Sequence, residues 1–196
     1  MAVTAETIKQ LRELTGAGVL DCKKALDATG GDMEKAAAIL KEKGLAAAAK
    51  KAERKAADGR VEVYVHPGAK LAAMVEVNCE TDFVARTPDF LALCHDLAMQ
   101  VAASGPQWVA REDVPADALE ERKKEFRAQV EGNKPENVIE RAVEGKLAKF
   151  YQENCLLEQA FIKDDAKTIQ QLVKETIAKL GENIVVKRFA RFQIEG

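Results

Sequence analysis

Glycines at 16 and 18, at 30 and 31, and at 44 cut the first 44 residues into three short pieces, and that punctuation restricts them to a compact helical module. Two glycines within three residues favour a turn with dihedrals other residues avoid. Thr4 is suited to cap a first helix whose apolar residues Ile8, Leu11 and Leu14 recur at i, i+3 and i+6, near one face. A second helix is predicted over Val19–Ala28, with Val19, Cys22 and Leu26 on one side and Gly30-Gly31 ending it. Asp32 is placed to cap a third, which turns Met33, Ala36, Ala37 and Leu40 inward and which Gly44 is expected to close. A core of this size is marginal alone, so the module is expected to lean on a partner or on the rest of the chain.

From Leu45 to Ala57 the chain is rich in alanine, the strongest intrinsic helix former, so a helical connector is expected. Residues 41–60 carry seven basic and three acidic side chains, either a solvated helix face or an electrostatic docking surface. A β-hairpin comes next. Val61, Val63 and Val65 alternate with other residues, and His66-Pro67-Gly68-Ala69 suits a turn with Pro first and Gly second at its centre. Its return strand, Leu71–Asn78, is almost wholly apolar, which predicts a central strand covered on both faces. Helical periodicity marks about 88–103, 116–131, 135–153 and 168–180, and a β-branched, aromatic strand over Ile184–Ile194 is able to pair with the hairpin. The class that follows is α+β. It has a three-helix module over 1–44, a connector over 45–59, and over 60–196 a small, mostly antiparallel sheet packed with helices.

Composition narrows the chemistry. Thirty basic against 32 acidic residues leave a net charge of −2, which argues against a general nucleic-acid binder and points to no direct nucleic-acid partner. No apolar run is long enough to span a bilayer, and Met1 to Leu14 carries Glu6, Lys9, Arg12 and Glu13 with no apolar stretch behind them. A cytoplasmic protein with no membrane association is therefore expected. Cys22, Cys79, Cys94 and Cys155 form no Cys-x-x-Cys pair, and only His66 and His95 are present. Neither a metal centre nor a cysteine–histidine nucleophile has supporting spacing, so the cysteines are read as reduced and buried, and catalysis and cofactors are not expected.

Three segments stand out. Thr15-Gly16-Ala17-Gly18-Val19-Leu20-Asp21-Cys22-Lys23-Lys24 contains Gly-x-Gly, but after a helix, without the third glycine of a dinucleotide fingerprint or the Gly-Lys-Ser/Thr of a phosphate loop. Its physical use is a tight turn that sets Val19 and Leu20 at a corner, facing either a partner or the module's own core. In Asn78-Cys79-Glu80-Thr81-Asp82-Phe83-Val84-Ala85-Arg86-Thr87-Pro88, Thr81 caps one helix start and Thr87-Pro88 another. Two starts so close give a short projecting turn, with Phe83 either packed beneath it or offered as a wedge beside Asp82 and Arg86. The third segment, Lys179–Phe189, reads as a helix stop and a strand with Lys187, Arg188 and Arg191 as edge decoration. Residue physics alone ends at a two-part interaction protein, with a peptide-binding adaptor and an RNA-associated factor as other readings.

These segments, together with Leu11-Arg12-Glu13, Ala25-Leu26 and Glu76-Val77, resemble the elongation factor Ts family of bacterial translation from end to end. The resemblance implies a ubiquitin-associated-like N-terminal module, a connector and an α+β core that also serves in dimerisation. It implies a guanine nucleotide exchange factor for elongation factor Tu. Arg12, Val19, Leu20 and Lys23 would face the partner's G domain, with Lys51 on the connector. Asp82 and Phe83 would insert near its magnesium and switch region, with Thr81, Val84 and Arg86 of the same segment in contact and His66 beside that second region. Longer members carry two related core subdomains and a coiled-coil insertion, whereas here the hairpin-plus-helices unit occurs once. The resemblance to the short forms implies that a second copy supplies the missing half, giving a homodimer. With alanine at position 190 no disulfide is expected across such an interface.

Overall fold

The computed structural model describes residues 3–130, 132 and 135–194, and these form a mixed helix-and-sheet fold. Two compact units divide them. One comprises the described residues within 1–60, 77–93 and 171–185, the other those within 61–76, 94–170 and 186–196.

The first unit begins with α1 (Ala5–Thr15), α2 (Val19–Ala28) and α3 (Met33–Ala49). Thr4 caps α1 in a reciprocal box with Thr7, and the Asp32 carboxylate accepts from the Lys35 amide at 3.0 Å to open α3. Leu11, Cys22, Ala25, Leu26, Ala36 and Leu40 make the core of this module, with Ile8, Met33 and Ala37 packed around it. Leu14 departs from the expected face. It is 70 % exposed and, with Leu40 and Leu45 of α3, lines an open groove whose other wall is helix 169–180.

Gly44 does not close the third helix. The helix runs through it to Ala49, and only then do turns carry the chain over 50–54 to the first strand, so the connector is helical in its first part. The glycine answers a packing demand instead. A Cβ on it would lie 2.9 Å from the Cβ of Ala178, closer than two methyl groups can approach.

Strands β1 (Asp58–Val65), β2 (Leu71–Cys79) and β5 (Ile184–Gln193) form one sheet in the order β1-β2-β5, so the terminal strand joins the hairpin as expected and β2 is central. The turn between β1 and β2 is closed by Ala69 N–H donating to the His66 carbonyl at 2.9 Å, with Gly68 at φ +92°, the type II geometry that Pro-Gly favours.

Coverage of the sheet differs from the expectation. Ala73, Val75, Val77 and Cys79 are buried, but the alternate face of β2 opens at Met74, and Val61, Val63 and Val65 are each more than half exposed. The valines point outward because Glu62 and Tyr64 turn inward, where His95 of helix α5 (Pro88–Ser104) meets the Tyr64 ring edge-on at 5.9 Å and the Glu62 carboxylate at 3.5 Å. Helices thus cover one face of these strand segments, and the other carries apolar side chains in the open.

Helix α5 buries Phe90, Cys94, Leu97 and Val101 completely. Arg191 of β5, expected as edge decoration, donates from Nε to the Ala102 carbonyl in the last turn of α5 at 3.0 Å, and Arg188 pairs with Glu76 at 2.6 Å. The four-residue helix α4 (Asp82–Ala85) precedes α5. Helices α6 (Ala116–Val130) and α7 (Glu136–Asn154) pair beyond it over Phe150, Leu119, Phe126 and Trp108. The expected last residue of that first helix, Glu131, lies outside the described residues. A two-stranded hairpin, β3 (Ala160–Phe161) and β4 (Asp164–Thr168), was not foreseen. It is held by buried Gln100, whose Nε2 donates to the Gln159 side chain and the Ala160 carbonyl and whose Oε1 accepts from Ile162 N–H. Helix α8 (Ile169–Leu180) then leads into β5.

All four cysteines are free and buried. Burial first, then the neighbouring Glu182 and Glu158 carboxylates respectively, pushes the Cys79 and Cys155 thiols up from 9.0 to about 11. A thiol that resists ionisation in the folded state stabilises that state below the unfolded pKa. Stability should therefore fall as pH climbs from 9.0 toward about 11, read as a drop in melting temperature that Cys79→Ala and Cys155→Ala lessen. A second expectation concerns Gly44. Helix propensity alone would make Gly44→Ala stabilising by about 1 kcal/mol, but the Ala178 contact reverses the sign, so thermal melting should show a lower Tm.

Candidate partner-binding site

Apart from Lys51 and His66, the candidate contact residues lie on two features of the first unit. At the N-terminal module, Gly16 takes the left-handed conformation (φ +68°) as C-cap of α1, its N–H donating to the Arg12 carbonyl at 2.8 Å. The chain then reverses, and α2 starts at once with Val19 54 % and Leu20 72 % exposed. Both stand outward because Cys22, Ala25 and Leu26 take the buried side of this helix. Arg12 in the last turn of α1 and Lys23 one turn into α2 are exposed on either side of the loop. Lys51 is half-buried in the turns after α3.

The second feature is the junction between β2 and α5. Thr81 is extended and caps α4, its Oγ1 accepting from Val84 N–H at 3.4 Å. Ala85 is buried and anchors the turn, Val84 is half-buried, and Phe83 is 80 % exposed. A phenyl ring left in water gives up the stabilisation that burial of its apolar surface would supply. An exposed ring on a short, capped turn has the character of an interface anchor. Beside it Asp82 pairs with Arg86 at 2.8 Å across one helical turn, with both side chains substantially exposed. Such a pair is weakly held and its carboxylate readily changes partners. Thr87 closes the turn twice, donating to the Val84 carbonyl at 2.8 Å and accepting from Phe90 N–H at 3.3 Å to start α5.

The support beneath this turn is what sequence reasoning missed. Glu182, just beyond the α8 stop, accepts three hydrogen bonds from the residues before Phe83. Its Oε2 takes Glu80 N–H at 3.1 Å and Thr81 N–H at 3.0 Å, and its Oε1 takes the Thr81 hydroxyl at 2.7 Å. The clasp is reciprocal, because Asn183 N–H donates to the Glu80 carboxylate at 2.7 Å. Buried Asn183 also donates from its side chain to the carbonyls of Ala52 and Arg54, while the Arg54 guanidinium lies 3.6 Å from Glu80. Lys179 reaches two ways. Its aliphatic stem lies where a Cβ on Gly16 would fall, 2.8 Å from Cγ, and its ammonium pairs with Asp89 of α5 at 2.6 Å. Pairings a hundred residues apart leave no periodic trace in a sequence, and the only signal was the resemblance of the 181–189 segment to a family motif.

His66 belongs to the other unit. It is exposed at the hairpin turn, with Nδ1 3.1 Å from the Tyr64 hydroxyl. Among the described residues no group of three or more His, Cys, Asp or Glu side chains is arranged to hold a metal ion, and no helix is long and apolar enough to cross a membrane.

The family model described as Elongation factor TS matches residues 3–195. The chain is similar to Elongation factor Ts of Herpetosiphon aurantiacus, 58 % identical over 99 % of this chain and 98 % of that protein. It is likewise similar to Elongation factor Ts of Moorella thermoacetica, 57 % identical over 98 % and 95 %, and of Thermodesulfovibrio yellowstonii, 54 % identical over 99 % and 97 %. With the match running through the helical module, the β2–α5 junction and the terminal strand alike, this chain belongs to the elongation factor Ts family of translation factors.

Proposed function

We propose that this protein is a guanine nucleotide exchange factor that binds elongation factor Tu and speeds GDP release during translation elongation. The observation that carries the reading is Phe83, four-fifths exposed on a turn whose backbone is fixed from both sides. Two gripping regions divide the work. Arg12, Val19, Leu20 and Lys23 dock on the partner's G domain and supply binding energy, with Lys51 on the connector adding charge. Phe83 then enters between packed elements beside the partner's magnesium and phosphate site, flanked by Thr81, Val84 and Arg86, and His66 lies against the same region.

The physical logic follows from the ion. Magnesium requires near-ideal octahedral geometry, so a shift of its ligands by about an ångström weakens its hold on the diphosphate. Asp82, released from Arg86, accepts hydrogen bonds from the displaced elements and stabilises the distorted state. Coupling of this kind is reciprocal: the factor by which the protein weakens nucleotide binding is the factor by which nucleotide weakens the protein's own binding. A thousandfold acceleration corresponds to about 4 kcal/mol, within the range of one aromatic anchor plus lost metal ligands. The work is done by binding, with no covalent step on this chain.

A second copy completes the assembly in this reading. Val61, Val63 and Val65 on β1, Met74 on β2 and Phe192 on β5 are all exposed. Rows of outward apolar residues on adjacent strands form a sheet face of the kind that packs against another sheet. We infer that a homodimer covers this face and carries two copies of the partner-binding site.

Two measurements test these statements. Stopped-flow release of fluorescent GDP from elongation factor Tu should be strongly accelerated by the wild type. Phe83→Ala should lose about 30-fold or more of that acceleration at saturating protein, with its own melting temperature little changed because the ring is four-fifths exposed. Unaccelerated release with folded protein and active partner would sink the exchange-factor reading. For the assembly, sedimentation velocity should give a dimer for the wild type and a monomer for Val63→Lys, and a monomeric wild type would rule out the homodimer.

A further inference from the structure

Everything that touches the partner in the reading above lies before residue 90, yet the turn bearing Phe83 is held by a residue a hundred positions later. We propose that Glu182 is the positioning residue of the exchange wedge, acting through the backbone of Glu80 and Thr81 to set where Asp82 and Phe83 stand. This inference rests on the wedge reading of Phe83.

Residues 80 and 81 lie between the end of β2 and the start of α4, so their N–H groups have no place in a strand ladder or a helix. Glu182 Oε2 takes both of them, at 3.1 and 3.0 Å. The third bond decides the cap. Thr81 has one hydroxyl proton, and it is committed to Glu182 Oε1 at 2.7 Å, which leaves the hydroxyl lone pairs for Val84 N–H. Without the carboxylate the hydroxyl is free to rotate and the cap of a four-residue helix loses its orientation. A helix this short has almost no internal hydrogen bonding of its own to resist.

The same stretch of chain bears on the other gripping region. Lys179, three residues earlier, packs its stem against Gly16 and pairs with Asp89 at the start of α5. The exit of α8 therefore touches both the loop that presents Val19 and Leu20 and the junction that presents Phe83. Both carboxylate oxygens of Glu182 are engaged by the three donors from residues 80 and 81, so its role is exercised within this chain. Its contribution is preorganisation: a ring already held in its bound place loses less freedom on docking.

The test separates positioning from general support. In the GDP-release assay, Glu182→Ala should lower the maximal rate at saturating protein by about tenfold while the half-saturating concentration moves less than about threefold, because the N-terminal grip is intact. Glu182→Gln keeps an oxygen acceptor for the two amides but reverses the third bond, its N–H₂ donating to the Thr81 hydroxyl, so it should recover part of the loss. The double variant Phe83→Ala/Glu182→Ala should be slower than Phe83→Ala alone by no more than about threefold, well short of the tenfold loss in the wild-type background, since only Asp82 is left for Glu182 to position. Losses that multiply in the double variant, or a wild-type maximal rate in Glu182→Ala, would overturn the proposal while leaving the exchange activity standing. Amide hydrogen exchange of the free protein supplies a readout that does not depend on exchange activity. In Glu182→Ala the Glu80 and Thr81 amides should lose about tenfold or more of their protection, with Leu26 in the N-terminal module unchanged. Unaltered protection at 80 and 81 would refute the clasp even if the wild type proved inactive in the first assay, and that inactivity would count against the wedge reading instead.

Discussion

One carboxylate, that of Glu182, meets three donors at the end of β2, and the first unit is organised around that meeting. Hydrogen bonds to an ionised acceptor are the strong ones, and three on one group hold two successive residues in place. Asn183 adds the return bond to Glu80 and ties in the connector at Ala52 and Arg54. Three stretches far apart in sequence thus share one junction. What emerges from it is a turn of four residues with an aromatic ring in water.

The division of labour within this unit follows from burial. The N-terminal module spends its apolar residues on itself at Leu11, Cys22, Leu26 and Leu40, yet leaves Leu14, Val19 and Leu20 outside. In the proposed exchange reaction Val19 and Leu20 are the side chains this small core offers to the partner. The glycines serve that arrangement in unequal ways. Gly16 takes φ +68° and also makes room for the Lys179 stem, whereas Gly44 sits within a regular helix where Ala178 leaves no room for a Cβ.

Much of this was legible beforehand. The caps at Thr4, Asp32, Thr81 and Thr87, the boundaries of α2, α5 and α8 and the Pro-Gly turn after β1 all follow from local chemistry, which acts over three or four residues. Where local reasoning missed, a neighbour distant in sequence was responsible. Gly44 looked like a stop because glycine disfavours helix, and Ala178 explains it. The alternation of Val61, Val63 and Val65 marked a strand but not which of its faces is covered, and it is Glu62 and Tyr64, engaging His95, that turn the valines out. Leu14 fits the apolar face of α1 in period, yet it lines a groove with residues of α3 and α8.

The sequence by itself determined the family, the α+β class, the helical module and the short projecting turn at Asp82-Phe83, because caps, glycines and periodicity are written in consecutive residues. Tertiary structure alone decided that Phe83 points into solvent, that one face of the hairpin is left open, and that Glu182 holds Glu80 and Thr81 from a hundred residues away. The physical reason is the same in each case. Side-chain direction is set by what the opposite face of an element packs against, and a carboxylate declares its donors only when the fold has brought them within 3.1 Å.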